Sequence, residues 1–385
     1  MKVEQVYVHL NAALQETLGE TAVLNEDLSN IVDMGNLVFD ANAVDPITKN
    51  LINRIGREVY VNRILKMTSP NVFKDSWEYG SIRMKVRTNL PESSKNETWD
   101  LNDGQSYDPN IFKKTDAFTR YWNKRVTFEI KQSITEKQIK QSFTSAGAMA
   151  AFLGMIQTAI ENRFTCDLHK LAMDLYTNFI GETLYTEYNS GDTFTGASHN
   201  KAINLLYLYN TQFGKTLTAD ECIYDKEFIR FACYVIGKYV PRLETMSTLF
   251  NISETEKFTP RDRMHILMLS DFKKAADIYL QSDTFNDEFT RMPDAEEIAY
   301  WQGTGTDYGF DSVSKIHVTT NNNHEVECGG ILCVMHDSEA LGICCEERRT
   351  TSNFNPVAEF TNYWHKFDAE YFNDPDENFI VFFVA

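Results

Sequence analysis

One segment constrains the fold more than any other. From Ser145 onward, the apolar residues Met149, Phe152, Leu153, Ile156, Ile160, Phe164, Leu168, Leu171, Leu175 and Phe179 recur at intervals of three and four. That spacing lays one apolar stripe along an α-helix of about nine turns, where about three turns is usual. Thr144 or Ser145 offers a start and Gly181 a natural stop. A second helix is expected from Ala219 to Tyr239, with Phe228, Phe231, Ala232, Val235 and Ile236 on one face and Pro241 ending it. Between the two, residues 185–200 read as a polar loop.

The strands are read from period two. Ser81 to Arg87 alternates apolar and basic, the pattern of a half-exposed strand, and Val126 to Ile130 alternates again and is the expected partner. Leu90 to Ala117 lies between them, polar and punctuated by turn chemistry at Pro91, Asp103-Gly104 and Asp108-Pro109. The result is an extended hairpin with a basic stem (Arg83, Lys85, Arg87) and an acidic tip (Glu92, Glu97, Asp100, Asp103, Asp108). A loop this long is usually functional, disordered or bound to something. Contact with another copy of the chain is expected, through those eight residues and Trp99. Further on, Met264 to Leu269 suits a buried strand, and Asp271 caps a helix through Tyr279. Ile331–Met335 and Ala340–Cys344 are expected to pair around the turn His336-Asp337-Ser338. The end is β-rich, from Val357 to Tyr371 and from Phe379 to Val384.

Charge is unevenly distributed. Residues 1–40 carry seven acids against Lys2, a formal −6, and 49–87 carry a formal +6. The first is read as an acidic arm with a short helix from Val6 to Leu18, either solvated or docked on a neighbouring subunit. The second is complementary to it, within one subunit or between neighbours. The whole 385-residue chain is formally −18, which repels phosphate backbones and argues against sequence-reading nucleic-acid binding. Seven irregularly spaced cysteines suggest reduced thiols rather than a disulfide framework. The N-terminus lacks the apolar core of a signal peptide, and no apolar run is long enough to span a bilayer.

No catalytic, cofactor-binding or metal site is expected. Cys328, Cys333, Cys344 and Cys345 lack the tight pairing of a structural zinc site. Gly-x-Ser-x-Gly is absent, and Gly303-Thr304-Gly305-Thr306 has neither the lysine nor the helix of a phosphate loop. The aromatic run Tyr363, Trp364, Phe367, Tyr371 and Phe372 reads as core or subunit interface.

The order of these elements resembles the tailed-phage major capsid fold, shared with encapsulins and the herpesvirus capsid floor. Similarity is greatest to short-tailed phages. It rests on Thr48 to Gly56 before the hairpin, Tyr107-Asp108-Pro109 in the loop, Ser145 to Phe179 as a spine, Arg263 to Tyr279, and the closing strands from Tyr363-Trp364 to Val381-Phe382-Phe383. The resemblance implies an α+β fold with an N-terminal arm (1–45), a first peripheral part (46–75) and an extended hairpin loop (76–130). A peripheral domain with the spine helix at about 145–180 (131–240), an axial domain (241–335) and a return to the peripheral domain (336–385) follow. It further implies a non-enzymatic head protein of the virion, assembled in the bacterial cytoplasm as pentamers and hexamers. A separate scaffolding protein and a portal would assist, and double-stranded DNA would be enclosed without sequence-specific binding or any membrane. The rivals are an encapsulin-like protein nanocompartment and an unrecognised soluble enzyme.

Overall fold

The structure is a computed structural model. It describes residues 3–19, 22–26, 28–41, 43, 46–47, 50, 72–74, 83–88, 90–91, 93, 110, 112, 114–115, 117–143, 145–188, 194, 196–281, 295–302, 307–345 and 348–385. Among the described residues the strands are, in chain order, β1 (Phe73–Lys74), β2 (Arg83–Thr88), β3 (Ala117–Trp122), β4 (Arg125–Thr135), β5 (Ala202–Asn204), β6 (Met264–Leu269), β7 (Glu296–Ile298), β8 (Ile316–Thr319), β9 (Glu325–Cys328), β10 (Ile331–Asp337), β11 (Leu341–Cys345), β12 (Arg349–Asn355), β13 (Phe360–Asn373) and β14 (Phe379–Phe383). The chain forms two compact units: Met1–Gly80 with Lys124–Leu175 and Gly342–Tyr371, and Ser81–Asn123 with Tyr176–Leu341 and Phe372–Ala385. The hairpin stem groups with residues 176–341, and 336–385 is shared, because its strands join different sheets.

In the first unit, β4 and β12 flank β13, and β11 lies between β13 and the parallel strand β1. β4 pairs along β13 from Thr135↔Phe360 to Arg125↔Glu370. Its apolar face explains the choice, since Phe128 stacks on Phe367 at 4.8 Å between ring centroids. The expected pairing of 126–130 with the hairpin is therefore wrong. The N-terminal helix Val3–Leu18 buries Leu10, Ala13 and Leu14 completely. They share one core cluster with Ile31 and Val38 of the helix Ile31–Asp40, and with Ile134, Ile139, Ile156 and Tyr363. The i, i+3, i+4 spacing supplies the apolar stripe, so these two helices contribute buried residues to this unit's core.

The long helix runs from Ala146 to Tyr188. It opens where expected, with the Ser145 hydroxyl accepting from the Ala148 N–H at 3.1 Å. It does not stop at Gly181. A Cβ there would lie 2.8 Å from Val318 Cγ1 and 3.2 Å from Thr320 Cγ2. Glycine marks the close approach of the β8–β9 hairpin, not a helix end. Ile156, Phe164 and Leu168 are buried in the first unit, where the Phe164 and Phe367 centroids lie 4.1 Å apart. Tyr176, Ile180 and Leu184 are fully buried in the second.

The second unit centres on the sheet β5-β14-β10-β6-β7. Both edges of β10 are occupied, by β14 and by β6. The expected β10–β11 pair is thus excluded, and β11 instead joins the sheet of the first unit. β6 falls where the sequence places it, and the helix Ser270–Gln281 begins before the expected cap, taking Asp271 into its first turn. The helix Lys226–Leu243 starts later than expected, at Asp225, whose side chain accepts from the Phe228 N–H. It carries Pro241 within its last turn and continues to Leu243.

Candidate functional site: a ribbon with its cations turned inward

β2 and β3 form a two-stranded ribbon, pairing from Arg83↔Trp122 to Thr88↔Ala117. β3 was not anticipated as the partner. Directly opposed residues share a face, so Arg83/Trp122, Lys85/Arg120 and Arg87/Phe118 point one way and Met84/Tyr121 and Val86/Thr119 the other. The burial is inverted relative to hydrophobicity. Arg83, Lys85 and Arg87 are partly buried, whereas Met84 is 56% exposed, Val86 57% and Tyr121 63%.

The reason lies some 290 residues further on, in the turn between β13 and β14. Its acids are deeply buried: the side chains of Asp374, Asp376 and Glu377 are 1%, 7% and 7% exposed. The turn is held through its backbone N–H groups. The Asp374 N–H donates to Ala340 O at 2.7 Å, the Glu377 N–H to Asp374 O at 3.2 Å, and the Asp376 N–H to Asp374 Oδ1 at 3.1 Å. Lys85 Nζ bridges Asp374 and Glu377, the latter at 2.5 Å. Arg87 meets Asp376 at 3.1 Å, and Arg120 spans Asp374 at 3.2 Å and Asp376 at 3.3 Å. Lys257 adds a contact to Glu377 at 3.1 Å. At the other end of the ribbon, Arg83 pairs with Glu339 at 2.6 Å and lies over the Phe372 ring. Trp122 Nε1–H donates to Asn373 O at 3.1 Å.

Burial alone would push these groups toward neutrality. For Glu377 burial opposes the charge, but the ammoniums of Lys85 and Lys257 outweigh it and hold the carboxyl below its usual range. For Lys85 burial likewise opposes the charge, and its hydrogen bonds to Asp374 and Glu377 outweigh it and raise the ammonium's value. The site is a structural clamp of paired charges.

Of the sequence-derived contact residues, Arg83, Lys85 and Arg87 thus gather in one site and engage carboxylates of their own chain. Glu92, Glu97, Trp99, Asp100, Asp103 and Asp108 lie outside the described residues. Asp374, Asp376, Glu377, Glu339, Arg120 and Trp122 were not singled out from the sequence. Their one signal, Asp374-Pro375-Asp376-Glu377, reads locally as an exposed acidic turn. All seven cysteines are thiols rather than disulfides. Among the described residues no group of three or more His, Cys, Asp or Glu could hold a metal ion, and no helix is long and apolar enough to cross a membrane. Tyr363, Phe367 and Phe372 of the aromatic run are buried core.

A model of the Phi29-like phage major capsid protein family matches residues 10–383. The chain belongs to that family. This Phi29-like capsid protein is 24% identical over 192 residues to the major capsid protein of Bacillus phage GA-1. That match takes in 44% of this chain and only 39% of the relative's length. A chain in the structure of the head fiber and inner core protein gp22 of native bacteriophage P68 is similar with a TM-score of 0.51 and 12% identity, covering 82% of this chain and 83% of that one. The capsid structure of Staphylococcus phage Andhra aligns over 82% of this chain and 83% of its own at 10% identity, with a TM-score of 0.48. At such identities the likeness to P68 concerns the fold alone, and it agrees with the α+β capsid architecture expected from element order. That family is one of phage major capsid proteins, a structural rather than an enzymatic class.

Proposed function

We propose that many copies of this chain close, as pentamers and hexamers, into an icosahedral shell around the double-stranded DNA of a tailed phage. Family membership supports the reading, and the inverted ribbon is the structural observation that carries it. A chain that turns three cations inward and leaves Met84, Val86 and Tyr121 in water has an apolar face to be covered by something else. In a shell that cover is the neighbouring copy. Arg83, Lys85 and Arg87 serve this contact from behind, by fixing the ribbon's pose. Glu92, Glu97, Trp99, Asp100, Asp103 and Asp108 touch the neighbour directly. The formal −18 charge keeps packaged DNA from sticking to the wall, so the genome is enclosed without sequence-specific binding. Assembly takes place in the bacterial cytoplasm, with a separate scaffolding protein and a portal.

The test is expression with a scaffolding partner, followed by electron microscopy. Wild-type chain is expected to give closed or curved shells. A Met84→Asp/Val86→Asp variant, whose new charges stay solvated on the single subunit, is expected to remain folded by circular dichroism and unassembled. Compact wild-type monomers that never assemble, or a double variant that assembles as wild type does, would refute the proposal.

A further inference from the structure

The second unit contains a cavity of about 660 Å³ beside the Thr88 end of the ribbon. Leu90, Met246 and Phe258 line it and are 56%, 46% and 48% exposed. The cations on its lining are already engaged: Arg87 by Asp376, Lys257 by Glu377, and Arg263 by Asp337 at 2.9 Å. Two carboxylates on the lining, Glu254 and Glu256, are exposed, and no ion pair is formed by either among the described residues. What remains for a visitor is therefore apolar surface beside uncompensated negative charge.

The concavity is preformed. The buried side chain of Asn251 donates to Thr255 O at 2.7 Å and accepts from the Thr255 N–H at 2.8 Å. Ser247 and Lys257 exchange backbone hydrogen bonds of 2.9 and 3.0 Å, and the Ser253 N–H donates to Pro375 O at 3.1 Å. Its volume falls within the roughly 300–1,000 Å³ of sites that take a defined group.

The same chain carries residues of matching chemistry. Phe112, on the excursion that leaves the ribbon at Thr88 and returns at Ala117, is 86% exposed. Lys114, two residues on, is exposed as well. We propose that Phe112 of one copy seats in this cavity of a neighbouring copy, with Lys114 meeting Glu254 and Glu256. The inference rests on the shell assembly proposed above and names the contact that carries it. A seated phenylalanine removes roughly 150–250 Å² from water. A buried aromatic anchor is the usual form of an interface hot spot, and the opposed charges set partner and register.

Charge exchange between copies tests the assignment. Lys114→Glu and Glu256→Lys alter exposed residues, so both variants are expected to be soluble and folded by circular dichroism. Each alone is expected to lower shell yield about tenfold, and Phe112→Ala to lower it at least as much. Combining both changes in one chain is expected to restore the yield, because the reversed hairpin of every copy then meets a reversed cavity on its neighbour. Oxidising a Lys114→Cys/Glu256→Cys chain is expected to link neighbouring copies into ladders on a denaturing gel; links formed only within single chains would mean that Phe112 serves its own cavity, which overturns the proposal. Absence of rescue by the combined variant overturns it too, as do single variants that assemble like wild type. In all these outcomes wild-type shells still form; their failure to form would instead refute the shell reading itself.

Discussion

Lys85→Met probes the clamp most directly. The substitution keeps the apolar stem and removes the one ammonium shared by Asp374 and Glu377, whose side chains are 1% and 7% exposed. Asp374 retains Arg120 at 3.2 Å and Glu377 retains Lys257 at 3.1 Å. The loss should therefore sit near the low end of the roughly 3–5 kcal/mol that follows removal of one member of a buried pair. About 3 kcal/mol corresponds to an opening equilibrium raised on the order of 100-fold. Hydrogen exchange read by mass spectrometry on the unassembled chain should show the amides of β2 and β3 exchanging faster by that factor. Lys85→Arg should stay within a few-fold of wild type. Acid adds an independent check. The Glu377 carboxyl is held below its ordinary 4.5, so its contribution is complete above that value and is lost as pH falls through the lower folded value. Lys85 is held above its ordinary 10.5, so its share is complete below 10.5 and lost only as pH rises through the raised value. Ribbon protection should thus be level between these limits and decline in acid, with a shallower acid decline in Lys85→Met. Unchanged exchange across β2 and β3 in a folded Lys85→Met chain would show that something other than these ion pairs holds the ribbon.

Gly181→Ala should lower the melting temperature. The gain in helix propensity of about 1 kcal/mol is set against a Cβ placed 2.8 Å from Val318 Cγ1, a stiff β-branched neighbour, and overpacking of this kind costs about 1–3 kcal/mol. A rise in melting temperature would contradict the close approach described for β8–β9. Alkylation of the folded, unassembled chain at pH 8 should give one fast site, the exposed Cys166. Burial pushes the thiols of Cys222, Cys233 and Cys328 up to about 12 and that of Cys333 well above its usual value, while Cys344 and Cys345 are buried. A second fast site, located by peptide mapping, would count against the strand packing.

The long helix, β6, the helix after it and β14 were legible in the sequence because each is specified by the spacing of its own apolar residues. Pairing was not. Val126 to Ile130 alternates as clearly as any strand, yet alternation says nothing about which distant strand lies alongside, and β13 claimed it with a matching aromatic face. Ile331 to Cys344 looks like a hairpin until both edges of β10 are filled by strands remote in the chain. Gly181 reads as a helix stop locally and is a contact point in three dimensions. The candidate site was half visible. Alternation in Arg83 to Arg87 announced two faces, one apolar and one basic, but the side that is buried depends on a buried acidic turn near residue 375. Without that turn, ordinary burial preference would have placed Met84 and Val86 inside.

A ribbon tied down by its own subunit meets its neighbour already oriented. The conformational freedom of β2 and β3 has been lost at the folding stage, so little of the free energy of association is consumed in ordering them. Modest individual contacts can then suffice, and a misplaced subunit can still let go before the lattice around it hardens.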